Sequence, residues 1–279
     1  MLLITGANGQ LGQALALLCR SRGIAHRALS RQELDITDEK AVLALFSNHS
    51  FDCIVNCAAY TAVDAAQDNP HTAYAVNAFA PWLLARTGVP MLHLSTDYVF
   101  DGSAQTPYAT HAAPRPLSVY GLSKRAGETA LLEGNFQGII VRTAWLYDKN
   151  PNSRNFYQTI RRLACERSDI HVVADQIGSP TYVVDLAQAL LTLYLQHAHH
   201  HPMHVLHFTN SGICSWYDFA CAIVEQCGYT TNVHPIATHD YPTRAQRPRY
   251  SALSLTELDA YGIRPRHWLQ ALNENSQNV

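Results

Sequence analysis

The chain lacks any apolar run approaching the roughly 20 residues needed to cross a bilayer. Its first residues show no basic-then-apolar leader pattern either, so a membrane-anchored or exported protein is not expected. It also lacks a charge surplus of either sign. A formal net charge of −2 over 279 residues gives no electrostatic case for nucleic acid or an anionic membrane surface as partner. There is no C-x-x-C pair among the seven cysteines, an odd number, which predicts reduced thiols in a cytoplasmic protein and argues against a disulfide framework. No internal repeat and no low-complexity linker divides the chain. The one anomaly of composition is a histidine tract, His197, His199, His200, His201, His204 and His207. It has no cysteine or carboxylate beside it, so it reads as a linker and no metal is expected.

What the chain does have is 47% hydrophobic residues, enough for a sizeable interior. Short apolar strands, at Met1–Thr5, Ala25–Ser30, Asp52–Asn56, Met91–Ser95 and Gly138–Arg142, alternate with helical stretches at 38–47, 71–86 and 118–132. This alternation predicts an α/β fold, a Rossmann-type doubly wound parallel sheet. A further helix at 183–196 and a strand at 205–209 flank the histidines. From about Ala144 the pattern loosens into loops rich in Pro and Tyr. We therefore expect a nucleotide-binding core over 1–143, rejoined by segments near 183–210. The rest of 144–279 should form a smaller substrate-binding lobe over the C-terminal ends of the strands.

The first strand runs directly into Gly6-Ala-Asn8-Gly9-Gln10-Leu11-Gly12 and then a helical pattern. Strand, glycine turn and helix together form the context of a dinucleotide site. Gly6 allows the tight turn, Gly9 lets backbone N–H groups approach a pyrophosphate, and Gly12 lets helix and strand pack closely. The helix N-terminus faces the phosphates with the positive end of its dipole. The second strand ends in Ser30-Arg31 with no acid at its tip. A hydroxyl and a guanidinium suit a ribose 2′-phosphate, so NADPH is the expected cofactor, with NADH as the alternative.

Tyr120 and Lys124 lie in the run Ser118-Val-Tyr-Gly-Leu-Ser-Lys124, which continues as an amphipathic helix. Four-residue spacing puts phenol and ammonium on one helical face, one turn apart. A free phenol, with a pKa of about 10, exchanges protons poorly near neutrality. A neighbouring cation is expected to bring it toward the working range for acid–base catalysis.

The Gly-x-x-Gly-x-x-Gly spacing combined with Tyr-x-x-x-Lys resembles the extended short-chain dehydrogenase/reductases. Narrower phrases follow in order: Ala58-Ala59-Tyr60-Thr61-Ala-Val63-Asp64, Ser95-Thr96-Asp-Tyr98-Val-Phe-Asp-Gly102, Arg142-Thr-Ala-Trp145-Leu-Tyr147, Asp175-Gln-Ile-Gly-Ser-Pro-Thr181 and Arg247-Pro-Arg-Tyr-Ser251. With them nearly the whole chain resembles the dTDP-4-dehydrorhamnose reductases. The resemblance implies hydride transfer from the nicotinamide to the 4-keto carbon of dTDP-4-dehydro-L-rhamnose. Tyr120 would protonate the nascent alkoxide, Lys124 would tune Tyr120 and hold the nicotinamide ribose, and Thr96 would bond the carbonyl oxygen. It further implies that Asp35 and Ile36 contact the adenine and that Ala58, Ala59 and Tyr60 border the cofactor. Thr61, Val63, Tyr98 and Trp145 would line the sugar pocket, and Arg247 is the expected pyrophosphate partner. Some members of that family dimerise through a metal-linked acidic cluster with a Glu two residues after the third glycine. Ala14 stands there, so that ligand is missing and no metal is expected; this leaves the oligomeric state open, with a monomer or weak homodimer expected. Two other readings remain at this stage: a reductase of another nucleotide-linked 4-keto sugar, and a regulatory subunit resembling methionine adenosyltransferase β.

Overall fold

The computed structural model describes residues 1–274. Strand β1 (Leu2–Thr5) is wholly buried, and its side chains alternate between two hydrophobic layers. Leu2 and Ile4 join one with Leu15, Leu92 and Leu190, while Leu3 joins the other with Ile54, Leu84 and Ile140. A strand buried on both faces belongs to a parallel sheet covered by helices. Helix α1 (Gln10–Ser21) follows, burying Leu11, Leu15 and Cys19 at one-turn spacing. Next come β2 (His26–Leu29), α2 (Glu39–Asn48) and β3 (Cys53–Asn56). Asp38 caps α2 by accepting hydrogen bonds from the N–H groups of Lys40 and Ala41, which satisfies two otherwise orphaned donors.

The long helix expected over 71–86 is instead three pieces. After α3 (Val63–Asp68), α4 (Pro70–Tyr74) widens into a π turn over Ala75–Phe79 and resumes as α5 (Ala80–Ala85). Pro81 lies at the start of α5; it has no N–H to give a ladder, and the wider turn precedes it. Then come β4 (Met91–Thr96), α6 (Val119–Glu133), capped by the Ser118 hydroxyl, and β5 (Gly138–Thr143).

The remaining chain is more regular than its loop-like composition predicts. Its elements are β6 (Leu146–Tyr147), α7 (Phe156–Glu166), β7 (Asp169–Val173), β8 (Ile177–Gly178), β9 (Thr181–Tyr182), α8 (Val183–Leu195) and β10 (His204–His207). They continue with β11 (Cys214–Ser215), α9 (Trp216–Gln226), β12 (Asn232–Ile236) and α10 (Trp268–Asn273). β12 pairs in parallel with β7. Pro235 and an exposed outer face hide β12 in the sequence, since proline sits in a strand only at an edge. Around this pair Tyr147, Tyr157, Phe219, Ile223 and Trp268 build a third hydrophobic cluster.

The main sheet has the order β10-β5-β4-β3-β1-β2, parallel throughout. The chain moves outward from β1 to β2, then returns past β1 to β3. The crevice at that reversal, beyond the C-terminal ends of β1 and β3, is where such sheets bind ligands. β10 returns to the sheet from late in the chain and pairs in parallel with β5.

Candidate active site

The turn after β1 opens the crevice. Gly6 has φ +66°, and a Cβ there would lie 2.7 Å from the Ala58 nitrogen at the end of β3. A Cβ on Gly12 would lie 2.3 Å from the Gly6 carbonyl oxygen, so only glycines permit this approach of helix, turn and strand. α1 begins at Gly9 with no side chain capping it and no acidic residue in its first turn. α2, α6, α7 and α9 are each capped by a side chain of their own. The free N–H groups and positive end of α1 therefore face an open cleft and fit a pyrophosphate.

That cleft, about 1150 Å³, collects nearly every residue singled out above. Gly6, Asn8, Gly9, Gln10, Leu11 and Gly12 line one end, with Arg31, Asp35 and Ile36 beyond β2. Ala58, Ala59, Tyr60, Thr61 and Val63 line the middle, and Thr96, Tyr98, Tyr120, Lys124 and Trp145 the far part. Ser30 and Arg247 do not line it. The Ser30 hydroxyl donates to the Glu33 carboxylate at 2.8 Å, and the Ser30 N–H donates to the same oxygen. Arg31 remains 80% exposed, with only a loose 3.5 Å contact to Asp35. Asp35 itself accepts from the hydroxyl and N–H of Thr37.

Arg247 departs from its expected place. Its two terminal nitrogens meet the two oxygens of Asp64 at 3.2 and 2.7 Å, and it also donates to the Ala245 carbonyl. A guanidinium so engaged ties the late loop to α3 and has little capacity left for a pyrophosphate. Arg154, unremarked in the sequence, lines the cleft and has no carboxylate partner among the described residues.

Thr96 ends β4, and Tyr120 and Lys124 face it from α6, all three nearly buried. Gly121 makes this possible. A Cβ at that position would sit 2.2 Å from the Tyr98 carbonyl oxygen, so the helix could not approach the turn after β4 with any larger residue there. The Tyr98 ring packs edge-on to Tyr120 at 5.4 Å. In the π turn, Asn77 accepts from the Tyr60 N–H at 2.8 Å and donates to the Tyr60 carbonyl and the Ser123 hydroxyl. It thereby clamps the loop after β3 to α6. Beneath them the buried Glu128 accepts from Arg142 at 2.8 and 2.7 Å and from Ser95 at 2.6 Å. Burial pushes the Glu128 carboxyl up, but the Arg142 guanidinium outweighs that and holds it below the usual carboxylate range.

The electrostatics correct one expectation. Burial pushes the Tyr120 phenol up to about 12, with the Thr96 hydroxyl pulling it down and the Asp97 carboxylate pushing it further up. Lys124 does not lower it, because its ammonium is turned to the Leu94 carbonyl at 2.5 Å. Burial brings Lys124 down to about 8, opposed by Glu128. Tyr120 is thus held as a neutral phenol that has a proton to give. Asp97, also buried, is pushed up to about 6 by loss of solvent, against hydrogen bonds from Ser251 and Thr96.

The far wall of the cleft comes from the C-terminal part of the chain. Trp145 stacks on Trp216 at 3.6 Å and 11°, and Phe156 packs against Trp216 at 4.4 Å. Trp145 has φ +47°, a left-handed backbone that a bulky residue adopts only when its surroundings impose it. Gly178 gives the indole its space, as a Cβ there would lie 2.8 Å from the ring. Asn155 donates to Gln10 at 2.8 Å and so links this wall to the glycine turn. Trp216, Phe156, Asn155 and Asn77 were missed in the sequence; each is an isolated residue with no local pattern around it.

A parallel sheet with an uncapped glycine turn at its reversal, and a buried Thr–Tyr–Lys set over the adjacent strand ends, defines an oxidoreductase of the short-chain dehydrogenase/reductase type. The chain belongs to the family described as the RmlD substrate binding domain, which matches residues 1–279. It is 39% identical to the spore coat polysaccharide biosynthesis protein SpsK of Bacillus subtilis, over 99% of this chain and 96% of that one. It is 42% identical to a dTDP-4-dehydrorhamnose reductase of Mycobacterium tuberculosis, over 97% and 90%. Among solved structures it resembles the dTDP-4-dehydrorhamnose reductase of Bacillus anthracis in complex with NADP. That match has a TM-score of 0.90 and 37% identity, and covers 97% of this chain and 96% of that one.

Proposed function

We propose that this protein uses NADPH to reduce the 4-keto group of dTDP-4-dehydro-L-rhamnose, giving dTDP-L-rhamnose for cell-surface polysaccharide synthesis. The observation that carries the reading is one cleft that joins the free N-terminus of α1 to the buried Thr96, Tyr120 and Lys124. The cofactor, when bound, supplies the hydride. Gln10 and Leu11 present their backbone N–H groups to the pyrophosphate, and Arg31 faces the ribose 2′-phosphate. The Thr96 hydroxyl donates to the keto oxygen as negative charge grows there. Tyr120, held protonated by burial, passes its proton to that oxygen as the alcohol forms. Lys124, whose ammonium donates to the Leu94 carbonyl, lines the same part of the cleft and is the group that holds the nicotinamide ribose.

Ala58, Ala59 and Tyr60 border the cofactor, Asp35 and Ile36 the adenine. Thr61, Val63, Tyr98 and Trp145 hold the sugar. Arg154 takes the role of pyrophosphate partner that Arg247 has given up to Asp64. The lobe built on residues beyond 144 is the substrate-binding unit. One chain supplies the whole cleft, which suits a monomer or weak homodimer. All seven cysteines are free, which suits the reducing cytoplasm. No helix among the described residues is long and apolar enough to cross a membrane.

The test is NADPH oxidation by the purified protein with dTDP-4-dehydro-L-rhamnose, followed by NMR identification of the product. Stoichiometric dTDP-L-rhamnose is expected. NADPH binding without oxidation would defeat the reading, and a C4 epimer of the product would reassign the sugar.

A further inference from the structure

Three histidines of the tract expected to be a linker, His197, His199 and His200, draw together into a compact cluster. His197 ends the run after α8, and Ala198–His200 form a single 3₁₀ turn with His197 as its N-cap. The His197 and His200 rings lie 5.6 Å apart, on the same side of the turn. His199 turns inward. It is fully buried, stacked against Tyr194 at 5.4 Å and beside His200 at 4.3 Å. Among the described residues neither of its ring nitrogens has a hydrogen-bond partner. A buried imidazole normally has at least one partner, because a desolvated polar atom left unpaired costs on the order of 1–3 kcal/mol.

One ring nitrogen from each of His197, His199 and His200 lies within 4.8 Å of the other two. The centre of such a triangle is at most about 2.8 Å from each nitrogen, so shifts of about 0.7 Å reach the 2.0–2.1 Å of a zinc–imidazole bond. The tract sits at the opposite end of the sheet from the cleft. The His201 carbonyl accepts from the Gly138 N–H at the start of β5, whereas the Thr96 and Thr143 pair marks the ends of β4 and β5 at the active site.

We infer that His197, His199 and His200 form a site for a borderline divalent transition cation of the zinc class, separate from the reductase cleft. Three imidazole nitrogens suit Zn²⁺, Co²⁺, Ni²⁺ or Cu²⁺ and not the oxygen-seeking Mg²⁺ or Ca²⁺. His197 and His200 are exposed, so the fourth position opens to solvent and takes water. The bound ion gives the buried His199 nitrogen a partner and fixes the turn that follows α8. Its effect is on stability, because it touches no residue of the cleft.

The experiment titrates Zn²⁺ into the full, untagged chain by calorimetry, with thermal unfolding in parallel. One equivalent should bind with micromolar affinity and raise the melting temperature by a few degrees; Mg²⁺ should do neither. Co²⁺ should show visible d–d absorption that Zn²⁺ displaces. His197→Ala combined with His200→Ala removes only exposed groups, so the fold survives. It should weaken Zn²⁺ binding at least tenfold and abolish the stabilisation. His234→Ala, at the separate stacked pair His171–His234, should change neither. An undiminished equivalent in the double variant would overturn the assignment. So would failure of the wild-type chain to bind Zn²⁺, or equal competition by Mg²⁺.

Discussion

The two walls of the cleft are held by different physics. The sheet wall, carrying the glycine turn, Thr96, Tyr120 and Lys124, is positioned by backbone geometry and buried polar pairs: the glycine contacts, the Asn77 clamp and the Glu128–Arg142 pair. The lobe wall is held by aromatic stacking, with Trp145 forced into a left-handed backbone between Trp216 and Gly178. A reacting proton needs placement to a fraction of an ångström, which strand register and hydrogen bonds supply. A sugar pocket needs shape, which packed rings supply and which neighbouring loops can reshape. Damage to the first wall should therefore lower turnover, and damage to the second should weaken substrate binding.

Tyr120→Phe tests that contrast most severely. It removes the proton and leaves the ring packing on Tyr98, so turnover should fall by roughly 10²-fold or more while NADPH affinity holds. Turnover within a few-fold of the unmodified protein would show that another group donates.

Asp97 tests what the polar wall costs. Its folded pKa of about 6 lies above the ordinary carboxyl value of about 3.9. The folded protein thus holds the proton more tightly than the unfolded chain does. The associated stability is full below about pH 4 and is lost as pH rises through about 6, by an amount on the order of 2–3 kcal/mol. Chemical unfolding between pH 4 and 7 should show that fall, and Asp97→Asn should flatten it. A fall that persists in Asp97→Asn would place the titration elsewhere.

Trp216→Ala probes the aromatic wall. Losing the partner of Trp145 should raise KM for the dTDP-sugar about tenfold, as expected for a deleted aromatic contact worth about 1–1.5 kcal/mol. NADPH affinity should not move. Equal losses for both ligands would erase the distinction between the walls. The smallest effect is expected at Arg31, exposed at the cofactor end. Arg31→Ala should weaken NADPH a few-fold and NADH hardly at all, because a solvent-screened guanidinium reads only the 2′-phosphate. Equal weakening of both cofactors would remove that role.

Much of the sheet wall was legible in the sequence because its rules are local. Glycines spaced in threes after an apolar strand, and a phenol four residues from an ammonium on a capped helix, predict their own geometry. Thr96 was legible only through the phrase around it, since a hydroxyl at a strand end has many uses. The charge state of Tyr120 was not legible. The four-residue spacing puts Lys124 on the same face, but the Leu94 carbonyl, from β4, decides where its ammonium points. Arg247 failed for the same reason, as its partner Asp64 lies 183 residues earlier.

The sequence by itself determined the alternation of strand and helix, the uncapped glycine turn and the placing of Tyr120 and Lys124 on one helical face, because each depends on dihedral preferences and spacings within a few residues. Only the tertiary structure decided the rest. The Trp145–Trp216 stack, the Asn77 clamp, the release of Arg154 and engagement of Arg247, and the turning of His199 into the protein join residues far apart in the chain. Contacts of that kind are selected by packing density and by the requirement that buried polar groups find partners, and these act on the assembled fold as a whole.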